Sequence, residues 1–281
     1  MSTTRHSGSV WTIRHRRVAA LATTMLVLLA WLVGAYAIQA SLGHQAMYSG
    51  VTLLVCLIGL LLIGLRKRLT MLPLLSVSTW LQVHIYTGLF SVAVYAVHVP
   101  AIIAGGRFEG PLSCLFVIVA ASGFYGLYLS RTAPRRLTAI AKQVRYDQID
   151  WHQNQIVNAA ANAVTTLPDT PARAILQAFY EQSISPYLNS SLPLAYRVCP
   201  TGFYKRRLLS RLSEADRYLD PTVAMVAGKL AALIRQRDDL NYQHAIQFRL
   251  RAWVILHAGL SVVLVIWAIV HAYLAFGMLG S

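Results

Sequence analysis

Residues 83–99 read VHIYTGLFSVAVYAVHV, and together with LHAGLSVVLVIWAIVHA at 256–272 they decide the fold. Neither stretch contains Asp, Glu, Lys or Arg, and about 20 apolar residues are enough to cross a hydrocarbon core roughly 30 Å thick. Ionisable side chains at membrane depth are rare and are functional candidates by default. Both stretches therefore predict membrane helices whose histidines carry the chemistry.

The histidines have the same spacing on both stretches. His84 and His98 are 14 residues apart, and so are His257 and His271. In an α-helix, 14 residues return to within about 40° of the same face and rise about 21 Å. Each helix is thus predicted to present two imidazoles on one stripe, one near each membrane surface.

The composition agrees with a membrane protein. Of the 281 residues 56% are hydrophobic and only 12% are charged, which excludes a purely water-soluble globule. The first apolar stretch is interpreted as a membrane anchor because it is too long for a signal peptide, and the second is expected to begin near Ala46. We predict an all-α, polytopic membrane bundle of five spans, at 18–39, 51–65, 78–104, 111–130 and 252–277.

A polar stretch, 131–251, separates spans four and five. It holds nine of the ten acidic and 17 of the 25 basic residues, and 137–164, 171–187 and 221–242 have helical patterning broken by prolines. It predicts a helical insert, with spans one to four in 1–130 and span five in 252–281. Five spans place 24 of the 25 basic residues on one side, which is the cytoplasmic side by the positive-inside rule. Topology therefore explains the net charge of +15, and we expect no nucleic-acid partner.

With the insert on the cytoplasmic side, spans three and five run in the same direction. The histidines then match by depth, so that His84 faces His257 and His98 faces His271. Two facing imidazoles can supply both axial ligands of a haem iron, which suits electron transfer, so the pattern predicts two stacked b haems. The alternative is that the histidines are structural and are hydrogen-bonded inside the bundle. A zinc site is not expected, because four ligands cannot converge from opposite membrane faces.

Further candidates support the two haems less directly. Gly88 and Gly123 could let a porphyrin approach the backbone, as could Gly126, although small residues equally serve helix packing. Arg131 and Arg251 near the inner surface are candidates for inner-haem propionates or are topology determinants, and Arg107 is the only base outside. The three cysteines have no c-type haem or metal-site spacing, and no nucleotide-binding glycine motif appears, so electrons must arrive from another protein.

The paired H-x13-H pattern resembles the ferric-reductase-like transmembrane domain of NADPH oxidases, metalloreductases and the haem subunit of methionine sulfoxide reductase systems. That resemblance implies two b haems, with His84, His98, His257 and His271 as ligands, and electron flow outward from the cytoplasm. The chain differs in lacking a sixth span and a fused flavin and NADPH domain, and in having the 131–251 insert.

A second resemblance is to bacterial di-haem cytochrome b-like membrane proteins. It covers WLQVHIYTGLF (80–90), GGRFEGPL (105–112), SGFYGLYLSRTAPRRL (122–137) and NYQHAIQFRLRAWVILHAGLS (241–261). It implies a subunit of a multi-protein redox system in the bacterial inner membrane, with a soluble iron–sulfur or flavoprotein partner.

The expected function is transmembrane electron transfer by a subunit of an oxidoreductase complex. The cytoplasmic partner would dock on 131–251, and the outer acceptor would be a cytochrome or a quinone. Two alternatives stay open at this point. The chain could be a quinone-reactive cytochrome b membrane-anchor subunit of a respiratory enzyme, or a non-redox membrane scaffold with structural histidines.

Overall fold

The structure is a computed structural model that describes residues 7–41, 44–65, 76–138, 140 and 143–279. These residues form ten α-helices, joined by turns, short 3-10 segments and one π-helical turn, and no strand occurs within the described ranges. The helices are α1 (Ser7–Ala40), α2 (Gln45–Leu65), α3 (Val77–His98), α4 (Glu109–Thr138), α5 (Ile149–Thr165), α6 (Pro171–Phe179), α7 (Ser185–Asn189), α8 (Leu194–Val198), α9 (Phe203–Ala215) and α10 (Pro221–Leu279).

Five of the described helices, α1 to α4 and α10, are long and apolar enough to cross a membrane. This finding confirms the prediction of an all-helical chain with five such segments. The third helix is shorter than the expected 78–104, because it ends at His98 and Val99 is extended. Val99 precedes Pro100, and the residue before a proline is disfavoured in helical conformation.

The chain divides into two compact units, and the first contains Met1–Tyr125 and Val254–Ser281. Its core joins the apolar faces of α1 to α4 and α10, with Trp31 stacked on Tyr48 at 5.5 Å between ring centres and Tyr95 stacked on Phe116 at 4.1 Å. Its exterior is apolar as well, since side chains such as Leu26 are largely exposed. A continuous apolar exterior is typical of a surface that contacts lipid or another protein.

Gly106 shapes the loop between α3 and α4. Its φ of +106° is unfavourable for any residue with a side chain, and a Cβ there would overlap the Glu109 carboxylate. The same loop is fastened at Ala104, whose backbone N–H donates to the Ser113 hydroxyl at 3.1 Å. The glycine-rich sequence thus permits a tight entry into α4.

The second unit is Gly126–Trp253, and it has an aliphatic core of its own. Polar side chains also join its helices: Gln153 on α5 donates to Asn241 on α10 at 3.0 Å, and Lys205 on α9 pairs with Asp238 at 2.6 Å. Near that ion pair, burial raises the pKa of the Tyr196 hydroxyl, and the negative charge of Asp238 raises it further.

Two helical expectations for the polar stretch were wrong in their boundaries. The stretch 137–164 is not one helix, because α4 ends at Thr138 and α5 begins at Ile149. Conversely, the expected helix 221–242 and span five form one helix, α10, of 59 residues. No proline or glycine pair interrupts 242–252, so nothing in that sequence breaks the hydrogen-bond ladder.

Candidate functional site

The four predicted histidines lie in the first unit and form two pairs between α3 and α10. The ring centres of His84 and His257 are 6.4 Å apart, with an angle of 74° between the ring planes. His98 and His271 are close enough for their charges to interact. The structure thus brings together the residues that the equal spacing matched by depth, with α3 and α10 parallel.

Each pair has one imidazole held by a serine on a neighbouring helix. Nδ1 of His257 lies 2.6 Å from Oγ of Ser122 on α4, and Nδ1 of His98 lies 3.0 Å from Oγ of Ser49 on α2. The Ser122 hydroxyl donates to the Val119 carbonyl at 2.7 Å, and the Ser49 hydroxyl donates within α2 to the Gln45 carbonyl at 2.9 Å.

If each serine gives its one proton to the carbonyl of its own helix, its oxygen accepts from Nδ1–H of the histidine. Both rings would then have the same tautomer, with the proton on Nδ1 and the lone pair on Nε2. A second partner of this kind is what orients metal-binding histidines in proteins.

The other imidazole contacts are to backbone and to an aromatic ring. His84 donates to the Leu60 carbonyl on α2, and His98 also contacts the Ala46 carbonyl. The Phe108 ring lies nearly parallel to that of His271, with 6.2 Å between ring centres. All four rings are therefore positioned by neighbouring groups as well as by their own helices.

The glycines near the histidines have different environments. A Cβ on Gly50 would lie 3.0 Å from Cε1 of His98, and a Cβ on Gly123 would lie 3.7 Å from Cε1 of His257. Nothing lies within 4 Å of a Cβ placed on Gly88, one turn after His84. A Cβ on Gly126 would overlap the Trp253 indole, so the lack of a side chain at Gly126 lets the indole approach the α4 backbone.

The arginine candidates are not brought to the histidine pairs by any described contact. Arg107 is exposed in the loop before α4. Arg131 and Arg251 belong to the second unit, where Arg131 is exposed and the Arg251 guanidinium carbon lies 4.1 Å from the centre of the Tyr146 ring. The basic run 66–68, used for the topology prediction, lies outside the described residues.

The residues present fit a haem at the His84 and His257 pair. An imidazole nitrogen binds a metal at about 2 Å, which places the centres of two rings on one iron about 6 Å apart, close to the observed separation. Within the described ranges α3 packs its backbone closely on α1 and α2.

A buried hydrogen-bond donor near the pair of His98 and His271 also fits a bound haem. Nε1 of Trp267 is buried and has no hydrogen-bond partner in the described structure. It belongs to the residue one turn before His271, and its ring contacts Phe108 at 5.8 Å between ring centres. Buried donors are almost always paired, so a propionate or carbonyl oxygen would satisfy this one.

Among the described residues, neither histidine pair belongs to a larger cluster of metal-binding side chains. In the part of the chain that the structure describes, no group of three or more His, Cys, Asp or Glu side chains is placed to hold a metal ion. An axial haem site needs two nitrogens from the protein, because the porphyrin supplies the other four.

Three contributors to the site were missed in the sequence: Ser49, Ser122 and Gly50. A serine in an apolar helix usually donates to its own helix, so neither serine stood out. Their relation to the histidines depends on which helices are neighbours. The only sequence signal that could have indicated the two serines is a search for hydroxyl residues able to reach a histidine of another helix.

In comparisons with protein-family models, with curated proteins and with solved structures, nothing matches this chain. These comparisons identify neither of the two families that the sequence resembles. A functional conclusion therefore depends on the geometry of the residues themselves.

Proposed function

We propose that the chain is a di-haem b-type cytochrome subunit that transfers electrons across the bacterial inner membrane. The observation that supports this proposal best is the pairing of His84 with His257 at 6.4 Å, together with the pairing of His98 with His271 on the same two helices. Chance would rarely place four membrane histidines in two pairs with a shared spacing.

The histidines would hold the haems, His84 and His257 at the inner level and His98 and His271 at the outer level. Each haem would supply a one-electron carrier, and being held by two histidines would suit it to electron transfer. Ser122 and Ser49 would accept from Nδ1–H of His257 and His98, which would leave Nε2 of each ring to hold the haem.

The direction and partners follow from the charge distribution. The positive-inside rule places the amino terminus and 131–251 in the cytoplasm, where the insert would receive an iron–sulfur protein or a flavoprotein. Arg107 lies in the outer loop, where an anionic acceptor or a haem propionate would meet it. The outer acceptor is a cytochrome or a quinone.

One observation also favours the quinone-reactive alternative. The indole N–H of Trp267 is buried without a described partner and lies beside Phe108, and aromatic rings with a single donor suit a quinone head group. In that function the chain would be the membrane-anchor subunit of a respiratory oxidoreductase, and the haem ligands would be unchanged.

The test is a haem count with a reduced-minus-oxidised visible spectrum on the full chain, purified after expression with ample haem. We expect two b haems per chain with low-spin, six-coordinate bands. A chain free of haem under these conditions would contradict the proposal and favour a non-redox scaffold with structural histidines. Quinone is tested separately, by oxidation of the reduced protein with a soluble quinone analogue and by its loss in Trp267→Phe.

A further inference from the structure

A polar cavity lies in the second unit, between α5, the segment that follows α7, α8 and the first half of α10. Its volume is about 280 Å³. Its walls include the buried side chains of Arg237 and His244 and the exposed side chains of Asn154, Ser190 and Ser191. The cavity therefore connects solvent with buried nitrogen atoms, and it is separate from the histidine pairs of the first unit.

Arg237 is the deepest charged group of this cavity. Its side chain is buried, with 5% of the residue exposed, and Nη2 donates to the Ser190 carbonyl at 3.1 Å. Its Nε is buried without a hydrogen-bond partner, and no carboxylate lies within ion-pair distance in the described ranges. The charge of Asp150 reaches Arg237 without forming an ion pair, so an anion in the cavity would offset more of the cost of burying this guanidinium.

Arg197 and His244 place two more donors in the same wall. Nε of Arg197 and Nδ1 of His244 are also buried and unpartnered in the described structure. Aromatic rings fix both groups: the Arg197 guanidinium carbon lies 5.5 Å from the centre of the Phe248 ring, and His244 stacks on Tyr146 at 4.8 Å between ring centres. Two guanidinium groups, from α8 and α10, therefore line one cavity in fixed positions.

The charge of the lining selects for an anion. Asp150 is the one carboxylate among the lining residues that the structure describes, against two arginines. Asp238, the nearest acidic residue in sequence to Arg237, is paired instead with Lys205 at 2.6 Å. A cationic ligand would face two guanidinium groups and one carboxylate, so the net positive charge of the lining favours an anion.

We propose that this cavity binds the phosphate group of a small phosphorylated ligand through Arg197 and Arg237. The planar fork of a guanidinium matches phosphate oxygens two at a time, and a phosphate monoester has enough oxygens for both arginines. The hydroxyls of Ser190 and Ser191 and the amide of Asn154 lie at the rim, where they can contact the organic part. At about 30 Å³ per water molecule the cavity has room for a phosphate and a small organic group.

The experiment measures binding of inorganic phosphate to the full chain in phosphatidylcholine nanodiscs, by titration calorimetry in a phosphate-free buffer. We expect one saturable site per chain. Arg197→Gln and Arg237→Gln should each weaken binding about tenfold or more, because each removes a charge-assisted hydrogen bond. Arg211→Gln, an exposed arginine on α9 outside the cavity, is the matched control and should bind as the unmodified chain does.

Two further arms identify the ligand class and its source. Malonate, a dicarboxylate, should compete poorly, and competition as strong as that of phosphate would overturn the phosphate assignment. Adding phosphatidic acid to the nanodiscs distinguishes a lipid headgroup, which would displace phosphate, from a soluble phosphate ester, which would not be affected. Absence of saturable binding, or an affinity in both cavity variants equal to that of the unmodified chain, would also overturn the proposal. Arg197→Gln keeps the test decisive if Arg237→Gln lowers the melting temperature, because Arg197 is only partly buried.

Discussion

At the scale of single residues, the serines define how the imidazoles are held. Ser122 and Ser49 lie on α4 and α2, yet each is hydrogen-bonded to a histidine of another helix. Each hydroxyl also contacts a carbonyl of its own helix, which limits the directions it can take. The orientation of each ring thus depends on a neighbouring helix.

The first prediction concerns Ser122→Ala. Removing the acceptor for Nδ1 of His257 leaves the ring free to rotate and lowers its basicity, so haem affinity should fall about tenfold to a hundredfold. The haem-to-protein ratio and the midpoint potential of the inner haem measure the effect. Ser130→Ala is the control, because Ser130 lies two turns further along α4 and donates to the Leu127 carbonyl. Equal haem retention and potential in both variants would contradict the assigned tautomer.

The second prediction concerns Gly50→Ala. A Cβ at this position would lie 3.0 Å from Cε1 of His98, so the imidazole must shift by a few tenths of an ångström. We expect reduced occupancy of the outer haem, while the inner haem is retained. Gly59→Ala is the matched control on the same helix, because nothing lies within 4 Å of its Cβ. Separate redox titration of the two haems distinguishes these results, and full outer occupancy in Gly50→Ala would be inconsistent with this contact.

The sequence was sufficient to select the four histidines but not the residues that hold them. The 3.6-residue period places His84 and His98 on one face of α3, because that relation lies within a single helix. Ser49 reaches His98 from α2, and which helices are neighbours is determined by packing across the bundle. Hydrogen bonds between helices leave no repeating pattern in the sequence, so only the structure could identify them.

At the scale of helices, the parallel course of α3 and α10 determines which histidines meet. The third prediction is that His84→Ala and His257→Ala each remove the same, inner haem, because each leaves one axial position without its ligand. His98→Ala and His271→Ala should each remove the other haem. The two haems are distinguished by their midpoint potentials and by low-temperature spectra.

A control and a contrary result are available for this series. His152→Ala changes an imidazole of the second unit that contacts Trp151, and both haems should remain. If His84→Ala and His257→Ala depleted different haems, the pairing of α3 with α10 would be wrong.

The fourth prediction concerns the packing of α4 on α10 in the second unit. A Cβ on Gly126 would overlap the Trp253 indole, so Gly126→Ala should destabilise the chain by about 1–3 kcal/mol. Gly228→Ala, where nothing lies within 4 Å, should stabilise α10 by about 0.5–1 kcal/mol. Thermal unfolding followed by circular dichroism compares the two. Adding Trp253→Ala should reduce the cost of Gly126→Ala, and an unchanged cost would show that the overlap is not its cause.

Helix boundaries were predicted less well than helix type. Apolar length located α1, α2 and α4 because a membrane span is a long uniform signal. The end of α3 was placed too late, since Val99 to Ala104 is apolar although it is not helical. The polarity change near 251 was interpreted as an end, whereas α10 continues through it, because backbone hydrogen bonding does not depend on side-chain polarity.

At the scale of the whole molecule, the distribution of charge defines a topology that experiment can test. The fifth prediction is that protease added to intact spheroplasts leaves 131–251 uncut, whereas protease added to inside-out vesicles cuts it. Exposed residues between α7 and α8, such as Ser190 and Ser191, are suitable cleavage sites. Fragments are identified by mass spectrometry, and a periplasmic protein serves as the control for spheroplast integrity. Cleavage in intact spheroplasts would show that 131–251 lies outside the cytoplasm. The proposed topology and direction of electron flow would then both be wrong.

The pairing of α3 with α10 also has a consequence for how the protein is made. His84 and His257 are 173 positions apart in the chain, and so are His98 and His271. At about 5–20 residues per second, the ribosome completes the first member of each pair roughly 9 to 35 seconds before the second. If these pairs hold the proposed haems, both haems must be acquired late in synthesis, after residues 131–251 have emerged. A ribosome that stops early releases a chain with half of each binding site, and such a chain cannot retain cofactor by bis-histidine ligation.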